Sequence, residues 1–344
     1  MKVEIFRSNL NSIFANLAVE EALFSRPIPR PILFLWRNRP TVTVGRHQNP
    51  WKECNLSLMD ESGVTLARRY SGGGAVYQDL GCTTFTFIQK IGPSSSTSRI
   101  IDSNFELLVD SLTSLGLPAT RKGRNDLVVG DYKVSGSAFK QVPNKLIHHG
   151  TILVNTDMSR LGKFLTPSIL KLKAKGISSV SARVSNLADL SSGVDHDILC
   201  ESLARHFRGV YECTSTTEAE ILDDVIQTDP VFRDHHDTLR SWDWRYGSTP
   251  DFEHTVSTRM EGIGLFDVHY DVTGGRITRI RIFSDSLLPD LVGRIQESLV
   301  GIEYRAHCVA TTLSALATEQ ADEAGRAMVM EFSKWFTSAL SVSV

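Results

Sequence analysis

Residues 68–81 of the chain read RRYSGGGAVYQDLG, with three glycines in succession between a pair of arginines and a returning apolar run. A run of glycines costs backbone entropy on folding and adds no side chain to a core. It offers exposed N–H groups and room for a ligand against the main chain. The two arginines favour an anion, either a phosphate or a carboxylate. The segment therefore predicts a ligand-binding turn, with an ordinary glycine-rich loop as the alternative.

The overall composition is that of an ordinary globular protein. At 344 residues, the chain is long enough for one large domain and a smaller one. Its formal net charge of −2 excludes a global field that recruits nucleic acid or an anionic membrane. The five cysteines contain no CxxC pair, which argues against a disulfide framework or a zinc site. Because no apolar run is long enough for a membrane span and no secretory signal is recognisable, a cytoplasmic protein is predicted.

Strands and helices are predicted in separate groups along the chain. Strands are predicted at residues 2–7, 31–36, 41–45, 64–68, 83–88 and 147–154, and helices at residues 13–24, 100–115, 158–164 and 198–210. A hairpin is predicted at residues 127–134, turning at Gly130-Asp131. After a turn-like segment at residues 247–250, a second hairpin around Thr273-Gly274-Gly275 precedes helices at residues 287–299 and 323–340. This segregation predicts an α+β architecture, with a large domain at residues 1–246 and a small domain at residues 247–344.

A second polar cluster follows at Gly123-Arg124-Asn125-Asp126 and at residues 132–138, which read YKVSGSA. If residues 132–138 form a regular strand, Lys133, Ser135 and Ser137 share one face. Asp126 opens the preceding strand and could hold Mg²⁺, which prefers few carboxylates plus phosphate oxygens. The alternatives are a solvent-exposed edge strand and a capping aspartate.

Other chemical signatures are absent or weak. The sequence contains no P-loop, no Rossmann fingerprint, no HExxH and no GxSxG motif. The tandem His148-His149 has no cysteine partner nearby in sequence, so a structural role is favoured over general-base work. Cys82 follows the glycine segment and could accept an acyl group, although a buried structural thiol is the favoured interpretation.

Several of these stretches together resemble one known family. Residues 69–77, the GRNDLVV run at 123–129 and the KVSGSA run at 133–138 are similar to motifs of the lipoate–protein ligase A family. The similarity extends upstream through residues 16–21 and 49–55, and downstream through residues 148–151, 175–187, 242–244 and 283–285. It therefore covers nearly the whole chain, with several independent motifs in register.

The resemblance implies a large mixed-sheet catalytic domain of the biotin/lipoyl ligase type with a small α/β accessory domain. It implies that lipoate and ATP, with Mg²⁺, form lipoyl-AMP and pyrophosphate, and that a lysine of an acceptor then takes the lipoyl group. The implied acceptors are the lipoyl domains of 2-oxoacid dehydrogenase complexes and the glycine cleavage carrier protein. It also implies a monomer that binds neither nucleic acid nor membrane, in the cytoplasm or, in a eukaryote, the mitochondrial matrix.

Site residues carry over from the family position by position. Lys133 would be the catalytic residue, contacting both the α-phosphate and the lipoyl carboxyl. The other implied ATP and adenylate contacts are Arg69, Gly74, Ala75, Val76, Tyr77, Asn125 and Asp126, with Asp126 also near Mg²⁺. The implied lipoate contacts are Leu17, Arg69, Ser71, Gly72, Lys133 and His149. A basic segment that could steer an acidic acceptor, or simply form a solvated face, comprises Arg160, Lys163, Lys171, Lys173 and Lys175.

Two positions depart from the family pattern. Gln78 stands where the family has histidine, which puts any acid–base role there in doubt, and Cys82 stands where the family has asparagine. Neither departure touches Lys133 or Arg69. Three rival functions stay open at this point: a lipoyltransferase that uses only preformed lipoyl-nucleotide, an octanoyltransferase that needs a reactive cysteine, and a module that merely binds lipoyl domains.

Overall fold

The strands of the N-terminal part form one large and one small sheet. The computed structural model describes residues 2–92, 96–165, 184–221, 228–246 and 254–342. Its strands before residue 247 are β1 (Lys2–Ser8), β2 (Ile32–Trp36), β3 (Thr41–Val44), β4 (Thr65–Arg68), β5 (Val76–Gln78), β6 (Cys82–Lys90), β7 (Ala119–Lys122), β8 (Asp126–Val129), β9 (Tyr132–Val142), β10 (Lys145–Leu153) and β11 (Ser215–Ile221). The large sheet has the order β11-β1-β2-β6-β10-β9-β8-β7, and the small sheet has the order β4-β3-β5. Parallel pairs at β1 and antiparallel pairs from β2 to β7 make the large sheet mixed, as predicted.

Helices cover both faces of the large sheet. They are α1 (Ile13–Ser25), α2 (Pro50–Glu53), α3 (Leu56–Glu61), α4 (Thr97–Thr113), α5 (Met158–Phe164), α6 (Leu187–Leu190), α7 (His196–Val210), α8 (Pro230–Arg240) and α9 (Trp242–Arg245). The apolar run of β2 shows why both faces need cover, because its side chains alternate between two cores. Leu33 and Leu35 pack with α4 and α7, whereas Phe34 and Trp36 pack with α1. A strand without polar positions is typical of a sheet buried on both sides.

The C-terminal part builds its own core. It consists of β12 (His254–Met260), β13 (Gly264–Thr273) and β14 (Arg276–Ser284) in one antiparallel sheet, followed by α10 (Pro289–Leu299), α11 (Ala306–Thr318) and α12 (Glu323–Val342). Phe266 and Tyr270 from the sheet pack against Phe332 and Phe336 from α12. The predicted boundary at residues 247–250 lies outside the described residues, so the division at 246/247 stays a prediction.

Most local predictions near the glycine segment are confirmed. The hairpin of β8 and β9 turns at Gly130-Asp131, and α1 begins after Ser12, whose hydroxyl accepts a hydrogen bond from Ala15 N. Several elements were not predicted from the sequence, among them β7, β11, β12, α8 and α11. No helix among the described residues is long and apolar enough to cross a membrane.

The C-terminal part packs directly on the glycine segment. Gly73 N donates to Ser286 O at 3.1 Å, and Ser284 N donates to His47 O at 2.6 Å. Arg46 and Asp290 form an ion pair across the same contact between the two parts of the chain, which we call the seam. The segment predicted to bind a ligand is therefore fixed between the two parts of the chain.

Replacing Gly81 by alanine is expected to destabilise the large sheet. A Cβ at this position would lie 2.0 Å from Asn155 O, a backbone atom held because Val154 N and Asn155 N both donate to Gly81 O. Steric overpacking of this kind lowers the free energy of unfolding by about 1–3 kcal/mol. The midpoint of urea denaturation, followed by circular dichroism, measures the loss.

Gly162→Ala is the matched control. Gly162 lies in α5, and no described atom lies within 4 Å of a Cβ built there. Alanine in a helix is favoured over glycine by about 1 kcal/mol, so this variant should be as stable as the parent or more so. Equal midpoints for the two alanine variants would contradict the steric explanation.

Candidate active site

One cavity of about 600 Å³ brings the two sequence clusters together. Its wall is formed by the glycine segment, by the strands β8, β9 and β10, and by the edge of the C-terminal sheet. Of the predicted site residues, the following line it: Leu17, Arg69, Gly74, Ala75, Val76, Asn125, Asp126, Lys133 and His149. The volume is in the range of small-molecule sites.

Arg69 is buried beneath the glycine segment and holds its shape. Its Nη2 donates to Gly72 O at 2.6 Å and to Gly74 O at 2.8 Å, and its Nη1 donates to Thr43 O at 3.1 Å. Its Nε donates to Ser71 Oγ at 3.0 Å. Four of the five N–H bonds of this guanidinium are therefore directed at protein oxygens. Direct phosphate binding by Arg69 would use its remaining N–H bond or the exchange of one of these partners.

Arg68, the other member of the basic pair, does not face an anion. Its guanidinium donates only to main-chain oxygens, those of Gly45, Arg46, Gln48, Trp244 and Arg245. Burial lowers the pKa of Arg68 to about 10. The prediction that both arginines point to an anion is therefore wrong for Arg68, because main-chain oxygens of the turn before α2 and of α9 accept its hydrogen bonds.

The glycines in and beside the segment are required for backbone conformation or for close packing of main chains. Gly73 has φ +87°, in the left-handed region that favours glycine. A Cβ at Gly72 would lie 2.1 Å from Ser286 O, and a Cβ at Gly45 would lie 2.3 Å from Gly73 O. Close packing of main chains therefore explains Gly72, and only Gly73 and Gly74 of the triplet line the cavity.

A line of hydrogen bonds runs from the core to the glycine segment through His149. Ser71 Oγ lies 2.6 Å from His149 Nε2, and His149 Nδ1 lies 2.8 Å from Glu20 Oε2. Thr86 Oγ1 donates to the same carboxylate at 2.7 Å. With the Nδ1 proton held by Glu20, the Nε2 atom accepts the hydroxyl proton of Ser71. His149 thus presents its ring to the cavity in one fixed orientation.

Glu20 is ionised in this line. Burial alone would raise its pKa, but the electrostatic interaction with His149 and the hydrogen bonds from His149 and Thr86 lower the pKa below its ordinary value of 4.5. Because folding lowers this pKa, the carboxylate stabilises the fold above pH 4.5, and that contribution is lost as the pH falls through the folded-state pKa.

Lys133 reaches the cavity from the start of β9 and pairs with Asp126. The Nζ atom lies 2.7 Å from Asp126 Oδ1, and both side chains are partly exposed. Gly136 makes room for this side chain, because a Cβ there would lie 3.1 Å from the lysine Nζ. Asn125, next to Asp126, donates from Nδ2 to Ser137 O at 3.0 Å and so ties the turn to β9.

A β-bulge changes which residues accompany Lys133. Val128 lies opposite Lys133, but Leu127 lies opposite Ser135, so Val134 is an extra residue in the strand. Val128 lines the cavity with Lys133, whereas Leu127 is buried in the core. Ser135 therefore lies on the core face, and the predicted common face of Lys133, Ser135 and Ser137 is wrong.

Three predicted contacts do not line the cavity as the structure describes it. Ser71 reaches it only through His149, and Gly72 is covered by Ser286. Tyr77 turns its ring to Phe164, with 5.8 Å between centroids, while its neighbours Val76 and Gln78 line the cavity. Roles of these three residues in ligand binding stay predictions.

The two candidate nucleophilic or basic side chains outside this set are structural. Cys82 is buried, its pKa is raised by burial, and it is not among the described residues that line the cavity. His148 points to the opposite side of β10 from His149 and packs among aromatic rings, including those of Phe105 and Phe139. Burial holds its pKa well below the ordinary value.

Among the residues that sequence reasoning missed, three line the cavity and one, Glu20, lies behind its wall. Trp36 lies in an apolar run that indicated only a buried strand, and Glu20 lies in a motif quoted only for its resemblance. Arg259 and Asp285 come from the C-terminal part, more than a hundred residues from Lys133. Among the described residues, no group of three or more His, Cys, Asp or Glu side chains could hold a metal ion.

Comparison with known sequences gives the family. Residues 12–208 match the model of the lipoyl protein ligase A/B catalytic domain, and residues 249–336 match that of the bacterial lipoate protein ligase C-terminus. A lipoate-protein ligase A from Psychrobacter cryohalolentis is 40% identical over 97% of this chain and 98% of its own. The lipoate-protein ligase A from Bdellovibrio bacteriovorus is 39% identical over 92% of each chain.

Solved structures agree. P. falciparum LipL1 in complex with lipoate has a TM-score of 0.84 and 32% identity, covering 98% of this chain and all of its own. A lipoate-protein ligase A bound with ATP has a TM-score of 0.62 and 27% identity, covering 72% of this chain and 99% of its own. A bi-partite lipoate protein ligase with its E2 lipoyl domain from Thermoplasma acidophilum has a TM-score of 0.64 and 27% identity, covering 74% of this chain and all of its own. With both family models matched and 40% identity to a curated relative over nearly its full length, the chain belongs to the lipoate–protein ligase A family.

Proposed function

We propose that this chain activates lipoate with ATP to form lipoyl-AMP and then transfers the lipoyl group to a lysine of an acceptor lipoyl domain. The observation that carries the proposal is the position of Lys133, whose ammonium group lies in the same cavity as His149 and the glycine segment. Relatives crystallised with lipoate and with ATP support the two substrates.

The first step needs positioning and neutralisation of charge more than a protein nucleophile. A carboxylate oxygen of lipoate attacks the α-phosphorus of ATP, the bond from that phosphorus to the bridging oxygen breaks, and pyrophosphate leaves with the electron pair. Lys133 carries three N–H bonds and directs one at Asp126, so two remain for the carboxylate and the α-phosphate. Holding both reactants on one cation brings them together and stabilises the charge of the transition state.

The second step transfers the acyl group. The neutral amine of the acceptor lysine attacks the acyl carbon, the bond to the phosphate oxygen breaks, AMP leaves and one proton is released. Lys133 stays bound to the phosphate oxygens and stabilises the departing AMP. The C-terminal part covers the cavity with Leu287 and Asp285, which limits the access of water to the reactive adenylate.

The acyl chain would lie along the apolar side of the cavity. Leu17, Trp36 and Ala138 line this side, and His149 closes it with a polar atom. The ring of His149 is fixed by Glu20, so its position does not depend on the ligand. We propose that Ser71 and Gly72 shape this slot without lining it, Ser71 through its hydrogen bond to His149 and Gly72 through its close contact with Ser286.

Mg²⁺ would bind chiefly to the nucleotide. The described residues hold no three-ligand cluster, and Asp126 is the carboxylate beside Lys133. A single carboxylate with phosphate oxygens suits Mg²⁺, which keeps several water ligands. When bound, the ion supplies charge neutralisation for the phosphates, and Asp126 together with Asn125 would orient it.

Two rival functions are less well supported. An octanoyltransferase would need a reactive thiol in the pocket, whereas Cys82 is buried outside the described cavity wall and burial raises its pKa. One assay distinguishes the proposed ligase from a transferase that accepts only preformed lipoyl-AMP. With lipoate, ATP and Mg²⁺, lipoate-dependent release of pyrophosphate supports the proposal, and acyl transfer from lipoyl-AMP without such release contradicts it.

The acceptor is proposed to be a lipoyl domain of a 2-oxoacid dehydrogenase complex or the glycine cleavage carrier protein. The complex of the Thermoplasma relative with an E2 lipoyl domain supports this class. Of the basic segment predicted to steer it, Arg160 and Lys163 lie on α5, while Lys171, Lys173 and Lys175 lie outside the described residues. The monomeric state, the compartment and the domain limits 1–246 and 247–344 remain predictions.

Lys133→Ala is expected to abolish most adenylate formation. Removing one preorganised donor from a transition-state site lowers kcat by about 100- to 1,000-fold. Pyrophosphate release measures the effect, and circular dichroism checks the fold. Lys90→Ala, at the exposed end of β6, is the matched control and should stay within about twofold of the parent. A folded Lys133→Ala protein with unchanged turnover would contradict the proposed mechanism.

Ser71→Ala is expected to weaken lipoate binding while leaving ATP binding unchanged. The substitution leaves His149 Nε2 without its hydroxyl partner in a buried site. Without this hydroxyl the ring of His149 is less firmly held against the acyl chain, and a loss of about 1.4 kcal/mol in lipoate binding corresponds to a tenfold rise in KM for lipoate.

The measurement compares KM for lipoate with KM for ATP in the same assay. Ser62→Ala, on an exposed turn after α3, serves as the control. A parallel rise of both constants would show that the hydroxyl supports the whole glycine segment and not the acyl slot.

A further inference from the structure

The C-terminal part contributes a charged side chain to the cavity. Arg259, in β12, lines the cavity together with Lys133 of β9. Its Nη1 lies 3.4 Å from Asp285 Oδ2, and its side chain is 21% exposed. The other oxygen of Asp285 accepts a hydrogen bond from Leu265 N at 2.6 Å. The carboxylate is thus anchored to the C-terminal sheet and holds the arginine at the cavity surface.

A second arginine reaches the same place from the large sheet. Arg124, in the turn between β7 and β8, donates from Nη2 to Ile263 O at 3.3 Å across the seam. It lies within electrostatic reach of both Asp285 and Arg259. Among the described residues, two guanidinium groups therefore lie close to one carboxylate, which gives an excess of positive charge at this point.

The wider surroundings keep that excess. Lys122 also lines the cavity and is exposed, and the further carboxylates of the lining are Glu53 and, in the β8–β9 turn, Asp131. Lys133 and Asp126 neutralise each other. Apart from the Lys133–Asp126 pair, the described cavity lining carries four cations (Arg69, Lys122, Arg124 and Arg259) against three carboxylates (Glu53, Asp131 and Asp285), so it favours an anion.

We infer that Arg259 binds the β- and γ-phosphates of the nucleotide and stabilises the pyrophosphate that leaves in the activation step. The inference rests on the proposed function. An arginine presents paired N–H bonds that match phosphate oxygens, and its charge is permanent. Since pyrophosphate gains negative charge as the bond to the α-phosphorus breaks, a cation at that end lowers the barrier of the first step.

The transfer step makes no use of this residue. Lipoyl-AMP has no β- or γ-phosphate, so the adenylate offers Arg259 no phosphate to bind. Loss of Arg259 should therefore affect activation but not transfer. Loss of Lys133 should affect both half-reactions, because Lys133 acts at the α-phosphate in each.

Arg259→Ala is tested in each half-reaction separately. With lipoate, ATP and Mg²⁺, we expect kcat/KM for ATP, read by pyrophosphate release, to fall about 10- to 100-fold. With preformed lipoyl-AMP and an acceptor lipoyl domain, transfer read by mass should stay within about twofold of the parent. Arg259→Lys keeps the positive charge but not the paired N–H groups of the guanidinium, so an intermediate fall of kcat/KM for ATP is expected in the first assay only.

Arg294→Ala is the matched control. Arg294 lies on α10 in the same C-terminal part, pairs with Glu319 and is not among the described cavity residues. It should change neither half-reaction. Parallel loss of both half-reactions in Arg259→Ala, or an unchanged activation step in the folded variant, would overturn the inference.

Equilibrium binding separates this inference from the proposed function. Arg259→Ala should bind ATP about tenfold more weakly than the parent and AMP equally well, a comparison that requires no turnover. Equal losses for both nucleotides would count against the assignment to the β- and γ-phosphates. A parent protein that releases no pyrophosphate would refute ATP-dependent activation, whatever the binding result.

Discussion

The structure around the site depends on one buried cation. Arg69 lies under the glycine segment, and three main-chain carbonyls, those of Thr43, Gly72 and Gly74, converge on its guanidinium. A buried charge without partners is strongly unfavourable, so the arginine requires this curled backbone as much as the backbone requires the arginine. The carbonyls turn inward, and Gly73 takes the positive φ that the curl demands. Gly73 and Gly74 of this loop form part of the cavity wall.

The polar line and the hydrophobic core are built from the same strands. Trp36 Nε1 donates to Thr86 Oγ1, which donates to Glu20, whose other partner is His149, which in turn meets Ser71. The line runs from the core packed against α1 to the glycine segment, because Trp36, Thr86 and His149 lie on the same face of the large sheet. His149 serves the cavity while His148, one position earlier, is enclosed by phenylalanine rings. Core packing thus supports the site together with the Arg69 contacts that fix the glycine segment.

Local chemistry was predictable from the sequence, and long-range partners were not. The β8–β9 hairpin, α1 and the positions of Lys133 and Asp126 follow from turn residues, capping and periodicity. The β-bulge at Val134 was missed because a regular alternation fits those residues equally well until the pairing with Leu127 and Val128 is known. β11 is polar and largely exposed, so it lacks an alternating pattern. Arg259 carries no local signal at all, since only the seam brings it to Lys133.

The proposed acyl-adenylate chemistry would account for the division of the site between two parts of the chain. The proposed acyl slot and Lys133 belong to the large sheet and the helix α1 that packs on it. The excess cations belong to the seam, where Arg124 of one part meets Asp285 and Arg259 of the other. Gly72 allows this meeting, because any Cβ there would collide with Ser286 O. If the triphosphate is bound at the seam as proposed, loss of pyrophosphate removes the ligand that joins the two parts, while the adenylate stays with the half that holds Lys133. The contacts that assemble the site for the first step are then weakened at the moment when the acceptor lysine needs access.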